Sequence, residues 1–183
     1  MREDFKRGAE MVWSYAIRLL PWAMWRKEIQ AIEPYLSGRG ADIGCGRRKA
    51  RAGAVGIDLF PYPGVDIIAD ASALPLRSAS LHYVCSVHSL EHCRDPQGTL
   101  VEWLRVLCDG GSVCLVLPDV RYTGEANTDR TPHWQHWTLP GFLSWLGEAG
   151  LAGLVHTAGE ACPRWSFFVV LRKTSSPRTT AVH

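Results

Sequence analysis

The sequence lacks any run of the roughly 20 apolar residues that a membrane-spanning helix requires. Its nearest candidate, Met11 to Trp25, is broken by Arg18 and Pro21. The opening residues Arg2, Glu3, Asp4, Lys6 and Arg7 mix both signs and lead into no small-residue cleavage site, so no signal peptide is expected. There is no excess of one charge. With Lys+Arg 20 against Asp+Glu 18, the net charge is +2, and the concentrated positive field that binds a phosphate backbone is missing. Nucleic acid is therefore not an expected partner. No two cysteines have C-x-x-C spacing: Cys45, Cys85, Cys93, Cys108, Cys114 and Cys162 are scattered, several of them in apolar runs. That usage suits reduced core residues, and the expected location is the cytoplasm. Internal repeats are absent, and the only biased segment is the polar tail 174–183, which is expected to fray.

What is present suffices for one core: 183 residues, 46% of them hydrophobic. The expected organisation is a helical extension or lid over 1–36 followed by one catalytic domain over 37–173. Trp13, Tyr15, Trp22 and Trp25 lie near Arg18, Arg26 and Lys27. That mixture suits a helix packed on the domain, a lid, a dimer interface or a peripheral membrane contact. The sequence leaves these open, and the oligomeric state with them.

From Gly40 onward, short β-branched runs alternate with helical patterns, which predicts a mostly parallel sheet covered by helices on both faces. Strands are expected at Ala41 to Ile43, Val55 to Leu59, Val65 to Ala69, Tyr83 to Val87 and Val113 to Leu117. Asp95-Pro96 supplies an N-cap and a first-turn proline; Leu100, Trp103, Leu104 and Leu107 then form one apolar stripe, and Gly110-Gly111 is expected to stop that helix. Thr138 caps a second helix carrying Leu139, Phe142, Leu143 and Leu146, with Gly150 beyond its end. Two closing strands, Leu154 to Thr157 and Ser166 to Leu171, are expected to form an antiparallel edge.

The chemistry is carried by strand ends. Asp42-Ile43-Gly44-Cys45-Gly46 closes the first strand, Asp58 the second and Asp70-Ala71 the third, and open α/β sheets bind ligands at such carboxyl ends. A dinucleotide-binding loop would carry a third glycine where Lys49 stands, so that reading is disfavoured. In order along the chain, Asp42-Ile43-Gly44-Cys45-Gly46, Gly56-Ile57-Asp58, Ala69-Asp70-Ala71 with Leu74-Pro75, Ser89-Leu90-Glu91-His92, and Arg105-Val106-Leu107 before Gly110-Gly111 resemble the class I S-adenosylmethionine (SAM) dependent methyltransferases, particularly the type 11 group.

The resemblance implies a Rossmann-like three-layer sandwich with SAM as cofactor. Gly44, Cys45 and Gly46 would border the methionine part of SAM, with Asp42 drawing its ammonium group. Asp58 and Leu59 would sit at the ribose, and Asp70 and Ala71 at the adenine. The stretch Ser86 to Ser89, leaving the fourth strand and including Ser86 and His88, would lie along the cofactor near its methyl. Two departures stand out: His82 occupies a position that is often acidic in the family, and the short segment between Gly46 and Val55 carries Arg47, Arg48, Lys49 and Arg51. Those four suit either a solvated face or, through Arg47 or Lys49, a grip on the cofactor's carboxylate.

SAM is an activated donor, so a side-chain nucleophile is unnecessary, although a base helps a hydroxyl or protonated amine acceptor. The candidates are His88 and His92 after the fourth strand, and His133 and His136 in the polar segment Asp119 to Trp137. His133-Trp134-Gln135-His136-Trp137 combines aromatic walls with hydrogen-bonding groups, as an acceptor pocket needs, and Tyr122, Glu125 and Asp129 could orient the acceptor. Two histidines three apart also suit a metal, but no neighbouring cysteine or carboxylate pattern completes a site, so no metal is expected. The expected acceptor is a small molecule methylated on O, N or C. A scaffold role on a degenerate site, and an RNA or protein methyltransferase, are the alternatives.

Overall fold

A computed structural model describes residues 22–124 and 132–174. Seven strands form one sheet: β1 (Gly40–Ile43), β2 (Val55–Asp58), β3 (Ile67–Ile68), β4 (Leu81–Val87), β5 (Leu107–Pro118), β6 (Val155–Cys162) and β7 (Ser166–Arg172). Their spatial order is β3-β2-β1-β4-β5-β7-β6. The first five pair in parallel, and β7 runs antiparallel to both β5 and β6. The order reverses between β1 and β4, and that switch point leaves a crevice beyond their carboxyl ends.

Strand alternation feeds two cores. From β4, Tyr83, Cys85 and Val87 face one side, joined by Cys114 and Val116 of β5, and Ile32 of helix α1 (Trp22–Ile32) covers them. From the other face, Val84, Val113, Leu115 and Leu117 meet helix α2 (Pro96–Val106), a single-turn α3 (Val120–Thr123) follows β5, and α4 (Leu139–Glu148) completes that layer. Helices thus lie on both sides, giving the Rossmann-like sandwich with an antiparallel edge.

Local signals explain the element starts. The Asp95 carboxylate accepts from Gly98 N–H at 2.9 Å to cap α2, and Thr138 Oγ1 accepts from Gly141 N–H at 3.1 Å to cap α4. The glycine pair does not stop α2 as expected: the helix ends at Val106, and Gly110-Gly111 lie within β5. Long-range pairing explains this, because Gly110 N–H donates to the Lys173 carbonyl and Lys173 N–H to the Gly111 carbonyl, each at 2.9 Å. The third strand is also shorter than expected, since only Ile67–Ile68 pairs with β2.

Helix α1 packs on β5, β6 and β7, with Glu28 wholly buried against the sheet. Trp13 and Tyr15 of the extension, and Glu125 and Asp129 of the polar segment, lie outside the described residues. No helix among the described residues is long and apolar enough to cross a membrane.

Candidate active site

The glycine turn after β1 is built by backbone bonds to β2. Gly44 N–H and Cys45 N–H both donate to the Ile57 carbonyl, at 2.8 and 3.3 Å, and Gly46 N–H donates to Asp58 Oδ2 at 2.8 Å. Gly44 holds φ +71°, and a Cβ there would lie 2.0 Å from Ser89 Oγ. Glycine is therefore required twice over, for the left-handed backbone and for the close approach of the turns that follow β1 and β4.

Asp58 also accepts from Phe60 N–H at 3.0 Å, so its carboxylate ties the first turn to the second while facing the cleft. Asp70 accepts from the Ser72 amide and hydroxyl at 2.8 and 2.7 Å, which hold its carboxyl below the usual carboxylate range. Helix α2 fixes this third turn from behind. Trp103 Nε1–H donates to the Ala71 carbonyl at 2.9 Å; Glu102 accepts from Leu74 N–H at 2.7 Å, and Arg105 donates to the Leu74 carbonyl at 3.2 Å. The Leu74-Pro75 and Arg105-Val106 blocks are thus two sides of one clamp.

These turns border a cavity of about 560 Å³. Gly44, Gly46, Asp58, Leu59, Asp70, Ala71 and His92 of the sequence candidates line it. Ser89, Phe60, Tyr62, Thr99, Pro132 and Trp134 join them; of these Ser89 stood in a recognised motif and Trp134 in the expected acceptor-pocket segment, and no signal in the sequence marked Phe60, Tyr62, Thr99 or Pro132.

The remaining candidates lie off the cleft wall. Asp42 is 2% exposed, accepts from Ala50 N–H at 2.5 Å, and is pushed up to about 7 by burial, so it braces the loop beneath the cleft. Lys49 Nζ donates to the Ala54 carbonyl at 3.1 Å and pairs with Asp66 at 2.9 Å, on the far side of the glycine turn. Arg47 lies over the Tyr62 ring at 5.1 Å, and Arg48 over Trp22 and Trp25 at 5.1 and 5.6 Å. Cys45 is buried, and burial pushes its thiol up to about 12, the state of an inert core cysteine. Ser86 is buried within β4. His82 accepts from Arg39 N–H at 3.1 Å, securing the turn before β1.

His88 turns away from the cleft. Its Nε2 meets Glu28 Oε1 at 2.7 Å, and Ser166 Oγ–H donates to the same oxygen at 2.6 Å. Burial alone would lower the His88 pKa, but the Glu28 carboxylate, helped by Glu91, carries it above the ordinary value. Across Glu91 lie the other histidines. Trp134 and Gln135 N–H groups donate to the Glu91 carbonyl at 2.9 and 3.2 Å, docking the acceptor segment onto the turn after β4. His133 then stands edge-on to His92, with ring centroids 4.6 Å apart, and His136 lies 6.2 Å beyond. Burial pushes His92 down to about 4 and lowers His133 as well, so both rings are neutral near pH 7. His133 and His136 line a small neighbouring pocket with Glu91.

The residues fit SAM in two respects: Gly44 and Gly46 bring bare backbone to the cavity wall, and two carboxylates at strand ends face the same space. When bound, SAM supplies a sulfonium-activated methyl group.

Comparison with known proteins bears on the fold and on the central part of the chain. Residues 41–115 match the family described as methyltransferase domain. No curated protein matches the chain. Among solved structures, a SAM-dependent methyltransferase from Thermotoga maritima is 19% identical with TM-score 0.68, covering 95% of this chain and 100% of that one. The 1,6-didemethyltoxoflavin-N1-methyltransferase of Burkholderia thailandensis, solved with its substrate and S-adenosylhomocysteine, is 17% identical with TM-score 0.72, covering 95% and 90%. A chain from the Haloferax volcanii complex of the Trm112 methyltransferase activator with a methyltransferase is 16% identical with TM-score 0.70, covering 93% and 98%. At these identities the solved structures attest the fold, and the family match shows that residues 41–115 are similar to the methyltransferase domain.

Proposed function

We propose that the chain transfers the SAM methyl group to an O, N or C atom of a small-molecule acceptor seated between the cofactor turns and the 132–137 segment. One observation carries this reading. A single cavity is lined by Gly44, Gly46, Asp58 and Asp70 on one side and by His92, Pro132 and Trp134 on the other, so cofactor and acceptor would share one space. Its volume of about 560 Å³ is of the size small-molecule sites use. Gly44 and Gly46 would admit the methionine part, Asp58 would accept from the ribose hydroxyls, and Asp70 with the Ala71 backbone would meet the adenine. Ser89, rather than Ser86 or His88, is the residue leaving β4 on this wall. A ring titrating near 4 makes His92 a weak base, so the rate would rest on alignment and exclusion of water.

The Burkholderia enzyme supports a small acceptor, as does a geranyl diphosphate C-methyltransferase from Streptomyces coelicolor that shares the fold. The Haloferax complex favours a second reading, in which a partner protein assists the enzyme on a larger substrate. Methyl-labelled SAM incubated with the protein and a fractionated cell extract separates the two. Label in the small-molecule fraction is expected; label confined to protein or RNA would overturn the reading.

A further inference from the structure

Glu91 is buried on the turn after β4. It is 1% exposed, and neither carboxylate oxygen has a hydrogen-bond partner among the described residues. A buried charged carboxylate without partners is unfavourable by several kcal/mol unless it takes up a proton or a cation compensates it. The nearest candidate within the protein, His88, stands 3.8 Å away through Nδ1, beyond hydrogen-bond distance, and its Nε2 is committed to Glu28.

The groups on the other side of Glu91 have the chemistry of metal ligands. One ligand atom each from Glu91, His92 and His133 can be chosen so that all three lie within 4.8 Å of one another. His92 Nδ1 lies 3.2 Å from the Pro132 carbonyl, and a proton held there leaves Nε2 as a lone-pair donor. That nitrogen is 3.9 Å from Glu91 Oε1, a separation suited to two ligands of one ion rather than to a direct hydrogen bond. A histidine whose second ring nitrogen donates to a carbonyl is the usual outer-shell arrangement of a metal ligand. His133 is brought into range by the two amide bonds that dock residues 134 and 135 onto the Glu91 carbonyl.

We propose that Glu91, His92 and His133 bind a divalent transition-metal ion of the zinc type. Two imidazoles and one carboxylate form a three-ligand set that leaves a further position for an exchangeable ligand. The site stands on the wall between the cleft, which His92 lines, and the smaller pocket, which Glu91 and His133 line. A water, or an oxygen or nitrogen of the acceptor, completes the coordination; that last assignment rests on the function proposed above, whereas the ion site does not.

The test uses the full-length chain, stripped with a chelator and titrated with Co²⁺ and then Zn²⁺. One ion per chain is expected, with visible absorption from bound cobalt that zinc abolishes. His133→Ala and Glu91→Gln should each weaken binding by at least about tenfold, the scale on which even outer-shell changes act. His156→Ala, on β6 with its ring against Tyr35, should bind as the parent does. Circular dichroism of each variant confirms folding, and His133→Ala removes a partly exposed loop side chain, so it keeps the test open if Glu91→Gln unfolds. No stoichiometric ion on the folded parent, or unchanged binding in His133→Ala, would overturn the site. S-adenosylhomocysteine titration of the metal-free protein reads the cofactor site separately, so either proposal can fail alone.

Discussion

Replacing Gly44 by alanine should damage the cofactor turn by an amount that divides into two parts. The residue holds φ +71°, and a left-handed backbone costs an L-residue about 1–2 kcal/mol. The added Cβ would also lie 2.0 Å from Ser89 Oγ and 2.5 Å from its Cβ, so one side must move. Overpacking of this kind costs about 1–3 kcal/mol, giving a total of roughly 2–5 kcal/mol. Because Gly44 and Ser89 both line the cavity, displacement of either turn also narrows the cofactor space. The assay is urea denaturation together with calorimetric titration of S-adenosylhomocysteine, on Gly44→Ala, Ser89→Gly and the double variant. Removing the Ser89 side chain should restore about 1–3 kcal/mol to the Gly44→Ala protein, leaving the backbone part in place. Equal losses in the single and double variants would refute the close approach of the two turns, and an alanine variant as stable as the parent would refute the left-handed backbone.

Trp103→Phe keeps an aromatic ring in the core but strips the Ala71 carbonyl of its donor. It should cost about 1–3 kcal/mol in urea denaturation and weaken S-adenosylhomocysteine binding; undiminished affinity would show that α2 does not hold the third turn. Asp42→Asn should flatten a pH dependence. Burial raises the Asp42 pKa from 3.8 to about 7, so the folded chain holds that proton more tightly than the unfolded one, and this group's contribution to stability falls as pH rises between those values. The full change is up to about 4 kcal/mol, at 1.36 kcal/mol per pKa unit. The variant should therefore gain on the parent as pH rises from about 4 to about 7, and a pH-independent difference over that range would contradict the buried, proton-holding carboxyl.

The parts of the fold written in local chemistry were legible. Asp95 and Thr138 announce their helices because a cap needs only a side chain and an amide three residues on. Asp58 and Asp70 mark strand ends because their carboxylates bond the turns that follow, at Phe60 and Ser72. What tertiary packing decides was not legible. Gly110-Gly111 looks like a helix stop and becomes strand through pairing with Lys173. Asp42 and Lys49 stand within the glycine motif, yet the fold turns one beneath the loop and pins the other to Asp66. No metal was expected because no cysteine or carboxylate pattern beside His133 and His136 completes a site; the nearness of Glu91 and His92 to His133, on which the proposed ion site rests, arises across a long stretch of chain, where spacing carries no signal. Glu28 is invisible in the same way, since only the packing of α1 on the sheet puts it against His88 and Ser166.

The cofactor cleft is the centre of the account, and calorimetric titration of the folded protein with S-adenosylhomocysteine, beside Asp58→Ala, tests it most directly. One-to-one binding to the parent is predicted, lost in the variant because Asp58 both faces the cleft and holds the Gly46 and Phe60 amides. A folded parent that takes up neither S-adenosylhomocysteine nor SAM would contradict it.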